Sequence, residues 1–146
     1  MSDLPPSEPS FPALLRSARL TYRRAILDAL NQAGFDDLPR QGSFVIGAIA
    51  RSGLPLGEII RQLGASKQVA GQLVDILVAR GYLERATDPE DRRRLTISLT
   101  ERGHSAAATM RQTVERIDAE IAQRLPPTFI EHTRATLAVI GEIGAG

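Results

Sequence analysis

The sequence contains no cysteine, no tryptophan and only two histidines, His104 and His132. The absence of cysteine excludes disulfide bonds, thiolate metal sites and redox sensing through thiols. Two histidines that stand far apart in the chain do not form the clustered pattern of a histidine-rich metal site. We therefore predict that the protein holds no metal and no cofactor.

Long apolar runs are also absent. No segment approaches the roughly 18 apolar residues that a membrane-spanning helix needs. The first residues, Met1–Pro6, lack the basic start and apolar core of a secretory signal peptide. We therefore expect a cytoplasmic protein without membrane contact. At 146 residues, 42% of them hydrophobic, the chain suffices for one core, so we expect a single domain over residues 1–146.

The residues that usually carry catalysis are missing or stand alone. There is no cysteine nucleophile and no glycine-rich loop that would cradle a phosphate. Neither histidine has a carboxylate or serine partner that the sequence makes evident. We therefore predict no catalytic residues and a protein that is not an enzyme.

The net charge of +1 is too small to predict binding to nucleic acid by itself, so the positions of the charges must decide. Of the 18 basic residues, 17 are arginine, and Lys67 is the single lysine. This bias is compatible with genomic base composition. It also suits phosphate and guanine, because the planar guanidinium donates two parallel hydrogen bonds.

Apolar residues recur at helical spacing through most of the chain. A proline-rich arm, residues 1–12, precedes a helix that begins at Phe11 and ends near Gly34. The later helices are predicted to begin at Pro39, Leu56, Ser66, Thr100 and Pro126-Pro127. The fourth helix is capped by Ser66, and its apolar residues are Val69, Leu73, Ile76 and Leu77.

A β-hairpin interrupts the helical pattern. Leu95, Ile97 and Leu99 alternate with polar residues, which is typical of a strand with one buried face. Residues 82–86 are the nearest candidate for the partner strand. The loop between them carries three consecutive arginines, Arg92, Arg93 and Arg94, in the manner of a winged helix.

These elements predict a mainly α fold with a small β-hairpin. Residues 39–99 form a winged helix-turn-helix core. It is flanked by an N-terminal arm and helix, residues 1–34, and by C-terminal helices, residues 100–146. Such terminal helices usually pack on each other within one chain. Because both ends are amphipathic while the middle forms a compact unit, we expect them instead to form the interface of a homodimer.

The hairpin and the helix before it resemble the MarR family of bacterial transcription regulators. The resemblance is carried by Asp88-Pro89-Glu90-Asp91-Arg92-Arg93, by residues 95–103, by Leu63–Gln68 and by Arg80–Arg85. It covers nearly all of the chain after Phe11. It implies a homodimeric repressor that binds a pseudo-palindromic operator in double-stranded DNA and is often released by a small aromatic ligand.

The fourth helix is the candidate recognition helix. A recognition helix reads bases from its N-terminal turns, and that portion holds Ser66, Lys67, Gln68, Gly71 and Gln72. Gln68 or Gln72 suits adenine, and Lys67 suits a phosphate or guanine. Many relatives carry threonine and arginine in place of Gly71 and Gln72, which leaves the operator sequence open.

The wing loop is neutral by count, because Asp88, Glu90 and Asp91 oppose the three arginines. We assign Arg92, Arg93 and Arg94 to contacts with phosphate or the minor groove. The resemblance implies that Asp91 braces the loop through Arg93 or Arg94. The ligand-binding residues are unknown. Tyr22, Phe44 and His104 are candidates for a cleft, and we expect them to fill the core instead.

An alternative function stays open at this point. Gly71 and the charge-balanced wing are also compatible with a winged helix that no longer reads an operator and serves as a protein-interaction module. The two functions differ in their response to salt, because only DNA binding releases counterions.

Overall fold

Six helices and one hairpin make up the described part of the chain. The computed structural model describes residues 8–52, 55–93 and 95–145. In chain order its elements are α1 (Phe11–Gln32), α2 (Gly42–Ser52), α3 (Leu56–Leu63), α4 (Lys67–Ala79), β1 (Leu83–Thr87), β2 (Leu95–Leu99), α5 (Glu101–Arg124) and α6 (Pro127–Gly144). The predicted class, mainly α with a small β-hairpin, is confirmed. Residues 1–7 of the predicted arm lie outside the described residues.

Local side-chain chemistry sets the ends of the helices around the predicted helix-turn-helix. The Ser66 hydroxyl accepts a hydrogen bond of 3.2 Å from the Val69 amide and caps α4. The Thr100 hydroxyl caps α5 in the same way, accepting from the Gly103 amide at 3.1 Å. Gly64 ends α3 with a φ of 66°, in the left-handed region that glycine adopts without strain. None of the helices within the described ranges is long and apolar enough to span a membrane.

The prediction that Pro39 opens the second helix is wrong. Helix α2 begins at Gly42, because Gln41 has a φ of 67° and this left-handed residue separates it from the proline. Pro39 instead belongs to a turn in which its carbonyl accepts a hydrogen bond of 2.9 Å from the Gly42 amide. Gly42 is buried, and a Cβ atom there would lie 3.0 Å from the Pro39 ring.

The core lies where the end of α1, α2, α4, the hairpin and the first half of α5 meet. Its buried members include Leu30, Val45, Ile46, Leu73, Val74, Leu77, Tyr82, Leu83, Leu99, Ala106 and Met110. The apolar side predicted for α4 was partly wrong. Val69 and Ile76 are 51% and 37% exposed, because Ala70 and Val74 join Leu73 and Leu77 on the buried side.

The first turn of α5 packs directly on the chain that leads into β1. The Thr100 amide donates a hydrogen bond of 3.1 Å to the Tyr82 carbonyl. A Cβ atom at Gly103 would lie 2.2 Å from that same carbonyl oxygen. Glycine is therefore required at position 103 by a close approach between two backbones.

The terminal helices are covered much less than the winged-helix segment. Helix α6 has no buried residue, and residues 11–21 of α1 are all exposed. Helix α1 packs against α5, and the Tyr22 hydroxyl of α1 donates a hydrogen bond of 2.7 Å to Asp118 of α5. The terminal helices thus carry apolar side chains that no other described residue buries.

The contact at Gly103 predicts a large effect of a small substitution. Gly103→Ala should lower the free energy of unfolding by at least about 2 kcal/mol, because the new methyl meets a backbone carbonyl that cannot move freely. Gly71→Ala is the matched control, since nothing lies within 4 Å of its Cβ position. It should raise stability by about 0.5–1 kcal/mol through helix propensity alone. Urea unfolding followed by circular dichroism measures both, and similar values for the two variants would contradict the assigned contact.

Candidate nucleic-acid interface

Helix α4 presents one polar side to solvent. Its opposite side is buried in the core through Ala70, Leu73, Val74 and Leu77. The five residues predicted to read DNA all lie on the exposed side: Ser66, Lys67, Gln68, Gly71 and Gln72. They are concentrated in the first two turns of the helix. These five residues are thus available to a partner, while the opposite side of the helix packs in the core.

The start of α4 is electropositive. Lys67 is exposed at its first position, and the first turn contains no acidic residue. The unpaired backbone N–H groups of a helix N-terminus add partial positive charge and favour anions. Ser66 satisfies one of these donors through its side chain. This end of the helix is therefore suited to a phosphate group.

The wing projects from a regular two-stranded base. Strands β1 and β2 are antiparallel, with Leu83 opposite Leu99 and Thr87 opposite Leu95. Leu83 and Leu99 are buried, which fixes the base of the hairpin to the core. The loop beyond Thr87 carries Arg92 and Arg93, and both are exposed.

Two carboxylates of the wing loop, those of Asp88 and Asp91, accept hydrogen bonds from backbone amides of the same loop. Asp88 Oδ1 accepts a hydrogen bond of 2.9 Å from the Glu90 amide, and Asp91 Oδ1 accepts one of 3.0 Å from the Arg93 amide. Asp91 therefore contacts the backbone of Arg93 and not its guanidinium. Arg94, the other predicted partner, lies outside the described residues. Among the described residues, no carboxylate pairs with the side chain of Arg92 or Arg93.

An ion pair that the sequence did not reveal joins α4 to the wing. The Arg85 guanidinium donates a hydrogen bond to the Asp75 carboxylate. Asp75 lies on the exposed side of α4, and Arg85 lies in the middle of β1. The pair neutralises a carboxylate that would otherwise repel a polyanion. Opposite charges ten residues apart on different elements give no local pattern, so only the fold shows that they meet.

A second cluster of polar contacts lies behind the candidate interface, between the end of α4 and the start of α5. Tyr82 is fully buried and its hydroxyl donates a hydrogen bond to Asp37 Oδ1. Arg102 of α5 donates to both oxygens of Asp37, at 3.1 and 3.3 Å, and its guanidinium carbon lies 4.3 Å from the centre of the Tyr82 ring. Arg102 also donates to the carbonyl of Arg80, at the end of α4. The cluster thus ties the end of α4 to α5.

Ionisation in these clusters follows from the contacts. The hydrogen bond from Tyr82 holds the pKa of Asp37 below its usual value; burial opposes this, and Arg102 adds to it. Burial, and then the hydrogen bond to Asp37, raise the pKa of Tyr82 to about 12. Burial and the hydrogen bond to Asp118 likewise raise the pKa of Tyr22 to about 12.

The prediction that Tyr22, Phe44 and His104 fill the core holds only for part of the set. Tyr22 is half-buried against Asp118. Phe44 is 38% exposed and His104 is exposed, because the buried side of α2 is formed by Val45, Ile46 and Ala48.

The segment that carries this geometry matches a known family. Residues 36–94 match the family model described as the MarR family. The matched segment contains α2, α3, α4 and β1. The predicted resemblance to this family of transcription regulators is thereby confirmed. Comparison with curated proteins finds no match.

Solved structures extend the likeness in fold over nearly the full length of the chain. The S. aureus MepR–DNA complex has a TM-score of 0.70 at 19% identity, with 92% of this chain and 98% of that chain covered. Transcriptional regulator Tm0710 from Thermotoga maritima has a TM-score of 0.66 at 22% identity, covering 93% and 97%. S. aureus MepR bound to ethidium bromide has a TM-score of 0.63 at 18% identity, covering 94% and 98%. At these identities the likeness concerns the fold.

The two tyrosines give a direct test of these contacts. The chain has two tyrosines and no tryptophan, so absorbance at 295 nm follows the two phenols without interference. The folded protein should titrate near pH 12, whereas the urea-unfolded chain should titrate near the ordinary value of about 10. Because the folded pKa is the higher one, the stabilisation is complete below pH about 10 and is lost between pH about 10 and 12.

Tyr82→Phe separates the two phenols. It should halve the amplitude of the folded titration, leave its midpoint near 12, and lower the free energy of unfolding at pH 7 by about 1–2 kcal/mol. A folded-state midpoint near 10 would show that the phenols are exposed and unbonded.

Proposed function

We propose that this protein is a homodimeric, sequence-specific DNA-binding repressor whose two α4 helices enter the major groove while the wings contact the flanking backbone. The observation that carries the proposal is the joint exposure of the first turns of α4 and of two arginines in the wing that pair with no carboxylate among the described residues. The MepR–DNA complex, which shares this fold, supports the same kind of partner.

The charges favour a polyanion as the partner. Lys67 and the N-terminus of α4 offer one positive region, and Arg92 and Arg93 offer a second. Asp75 is neutralised by Arg85, and Asp91 is turned toward the loop backbone. The net charge of +1 thus understates the charge that this surface presents to a phosphate backbone.

The same features argue against the alternative, a module that binds only protein. A wing whose arginines were cancelled by neighbouring carboxylates would favour that function. Instead, two carboxylates of the loop accept backbone hydrogen bonds and give the loop its shape. The guanidinium groups stay available for phosphate.

The terminal helices are the proposed dimer interface. An apolar groove of about 550 Å³ runs between the start of α1 and α6, and its lining includes Phe11, Leu14, Phe129, Leu137 and Ile140. These five side chains are 38–64% exposed. A second copy of the chain would cover them, because a helix with an apolar side that no other element buries is stabilised by association.

A two-fold dimer determines the form of the DNA site. Two recognition helices related by a two-fold axis match a pseudo-palindrome, with half-sites about 10 base pairs apart. We therefore assign residues 39–99 to DNA binding, and residues 1–34 and 100–146 to dimerisation. Repression follows when such a site overlaps a promoter.

A small ligand would release the repressor by changing the distance between the two α4 helices. MepR has been solved with ethidium bromide, an aromatic cation, which supports an aromatic ligand for this fold. Ethidium fluorescence with the protein alone tests this class, because the dye also intercalates into DNA and must be measured without it. Saturable enhancement that is absent after unfolding would support it, and no enhancement would count against it.

DNA binding has a specific salt dependence that the wing should control. The protein should bind DNA flanking its own coding sequence, and log affinity should fall linearly with log salt concentration. The Arg92→Ala, Arg93→Ala double variant should lower the affinity and reduce that slope by about 0.9 for each phosphate contact removed. Fluorescence anisotropy at several salt concentrations measures both quantities.

A charge-matched control separates the wing from net charge. Arg111→Ala, Arg116→Ala removes the same charge from exposed positions in the middle of α5. It should keep the wild-type slope. Equal loss in both double variants would mean that binding depends on total charge, and no selective binding at low salt by a folded dimer would contradict the proposal.

Dimer formation should depend on the groove between α1 and α6. Ile140→Glu should give a monomer in sedimentation velocity, because the interface would then bury an unpaired carboxylate. The fold should survive, since Ile140 is 38% exposed in the protomer. Ala138→Glu, an exposed position on α6 outside the groove lining, is the control and should stay dimeric. A dimeric Ile140→Glu variant would place the interface elsewhere.

A further inference from the structure

Val69 is the apolar side chain on the reading side of α4. It lies in the first turn and is 51% exposed, while its amide is held by the Ser66 cap. Gln68 precedes it, and Gln72 lies one helical turn further, so that Gln72 neighbours both on the helix surface. Single exposed apolar residues are common on proteins. The position of this one, among the residues assigned to base reading, gives it a specific meaning.

We propose that Val69 contacts the C5 methyl group of a thymine in the major groove and that this contact selects an A·T pair in the half-site. The inference rests on the proposed function and names the specificity of the same surface. The thymine methyl is the one apolar group that base pairs present in the major groove, and small apolar side chains are its usual partners.

The neighbours of Val69 favour an A·T-rich half-site over a G·C-rich one. Gln68 and Gln72 carry amides, which can donate and accept and thus match the N6 and N7 atoms of adenine. Lys67 is the single cation in the first two turns of α4 and is the one side chain there that suits guanine. An adenine held by glutamine and a thymine held by Val69 can belong to the same or to adjacent pairs.

Gly71 would allow the short side chain of Val69 to reach a base. A valine side chain touches a base methyl only if its helix sits deep in the groove. Gly71 has no side chain on the exposed side of α4, and nothing lies within 4 Å of its Cβ position. The helix backbone can therefore approach the DNA closely at this point, which brings the Val69 methyl groups toward the floor of the groove.

Removing single methyl groups from the DNA tests the contact. The half-site is first obtained by selection from random duplexes, and each thymine is then replaced by deoxyuridine, which keeps every hydrogen-bonding group. Wild-type protein should lose about fourfold in affinity at one position or more, the ratio expected from one buried methyl-sized group. Val69→Ala should bind the thymine and deoxyuridine duplexes equally.

Ile76→Ala is the matched control. It removes an exposed apolar side chain from the later turns of the same helix and should retain the wild-type sensitivity to deoxyuridine. Alanine favours helix at both positions, so neither variant should unfold. A change in DNA shape caused by the missing methyl would affect Val69→Ala as much as wild type and is thereby separated from the contact.

The outcomes distinguish the inference from the function it rests on. Selective binding with no sensitivity to deoxyuridine, or with equal sensitivity in Val69→Ala, would overturn the inference and leave DNA binding intact. Failure to select any duplex at low salt, with a folded dimer, would overturn the proposed function and the inference together.

Discussion

The buried residue Tyr82 makes the contacts on which the rest of the structure depends. Its hydroxyl donates a hydrogen bond to Asp37, which precedes α2, and its ring packs against the Arg102 guanidinium of α5. Its carbonyl accepts a hydrogen bond from the Thr100 amide. Its own amide donates to Leu77 of α4 at 2.9 Å. One residue thus connects the end of α4, the start of the wing and the first turn of α5. The exposed side of α4 keeps its position relative to α5 because these contacts act together.

Under the proposed function, the middle and the ends of the chain have different tasks. The winged-helix segment has a dense core and exposes polar and basic groups, whereas α6 has no buried residue and exposes apolar ones. The proposed DNA surface and the proposed self-association surface are thereby separated, with α5 running between them. A change in the packing of the terminal helices would reach α4 through the contacts of Arg102 and Gly103 with Tyr82. This is a physical route by which the proposed ligand would alter the spacing of the two α4 helices in the proposed dimer.

Patterns within one element allowed most of the fold to be predicted from the sequence. Ser66 and Thr100 were assigned as caps because their position before an apolar repeat is a local signal, and the strand at Leu95–Leu99 followed from strict alternation. The start of α2 was missed because Gln41 adopts a left-handed φ that is uncommon outside glycine. Contacts between elements were missed as well. Nothing local predicts that Arg85 meets Asp75 or that Val69 faces outward, since both depend on how α4 packs.

The most direct test of the proposed DNA-binding dimer is a hydroxyl-radical footprint of the protein on selected DNA. The proposed dimer should give two protected windows about 10 base pairs apart on one face of the duplex, related by the pseudo-palindrome. Protection should be weaker where the wings meet the flanking backbone. The Arg92→Ala, Arg93→Ala variant should lose the flanking protection first. A single window, or protection without two-fold symmetry, would contradict a dimer that reads DNA with two α4 helices.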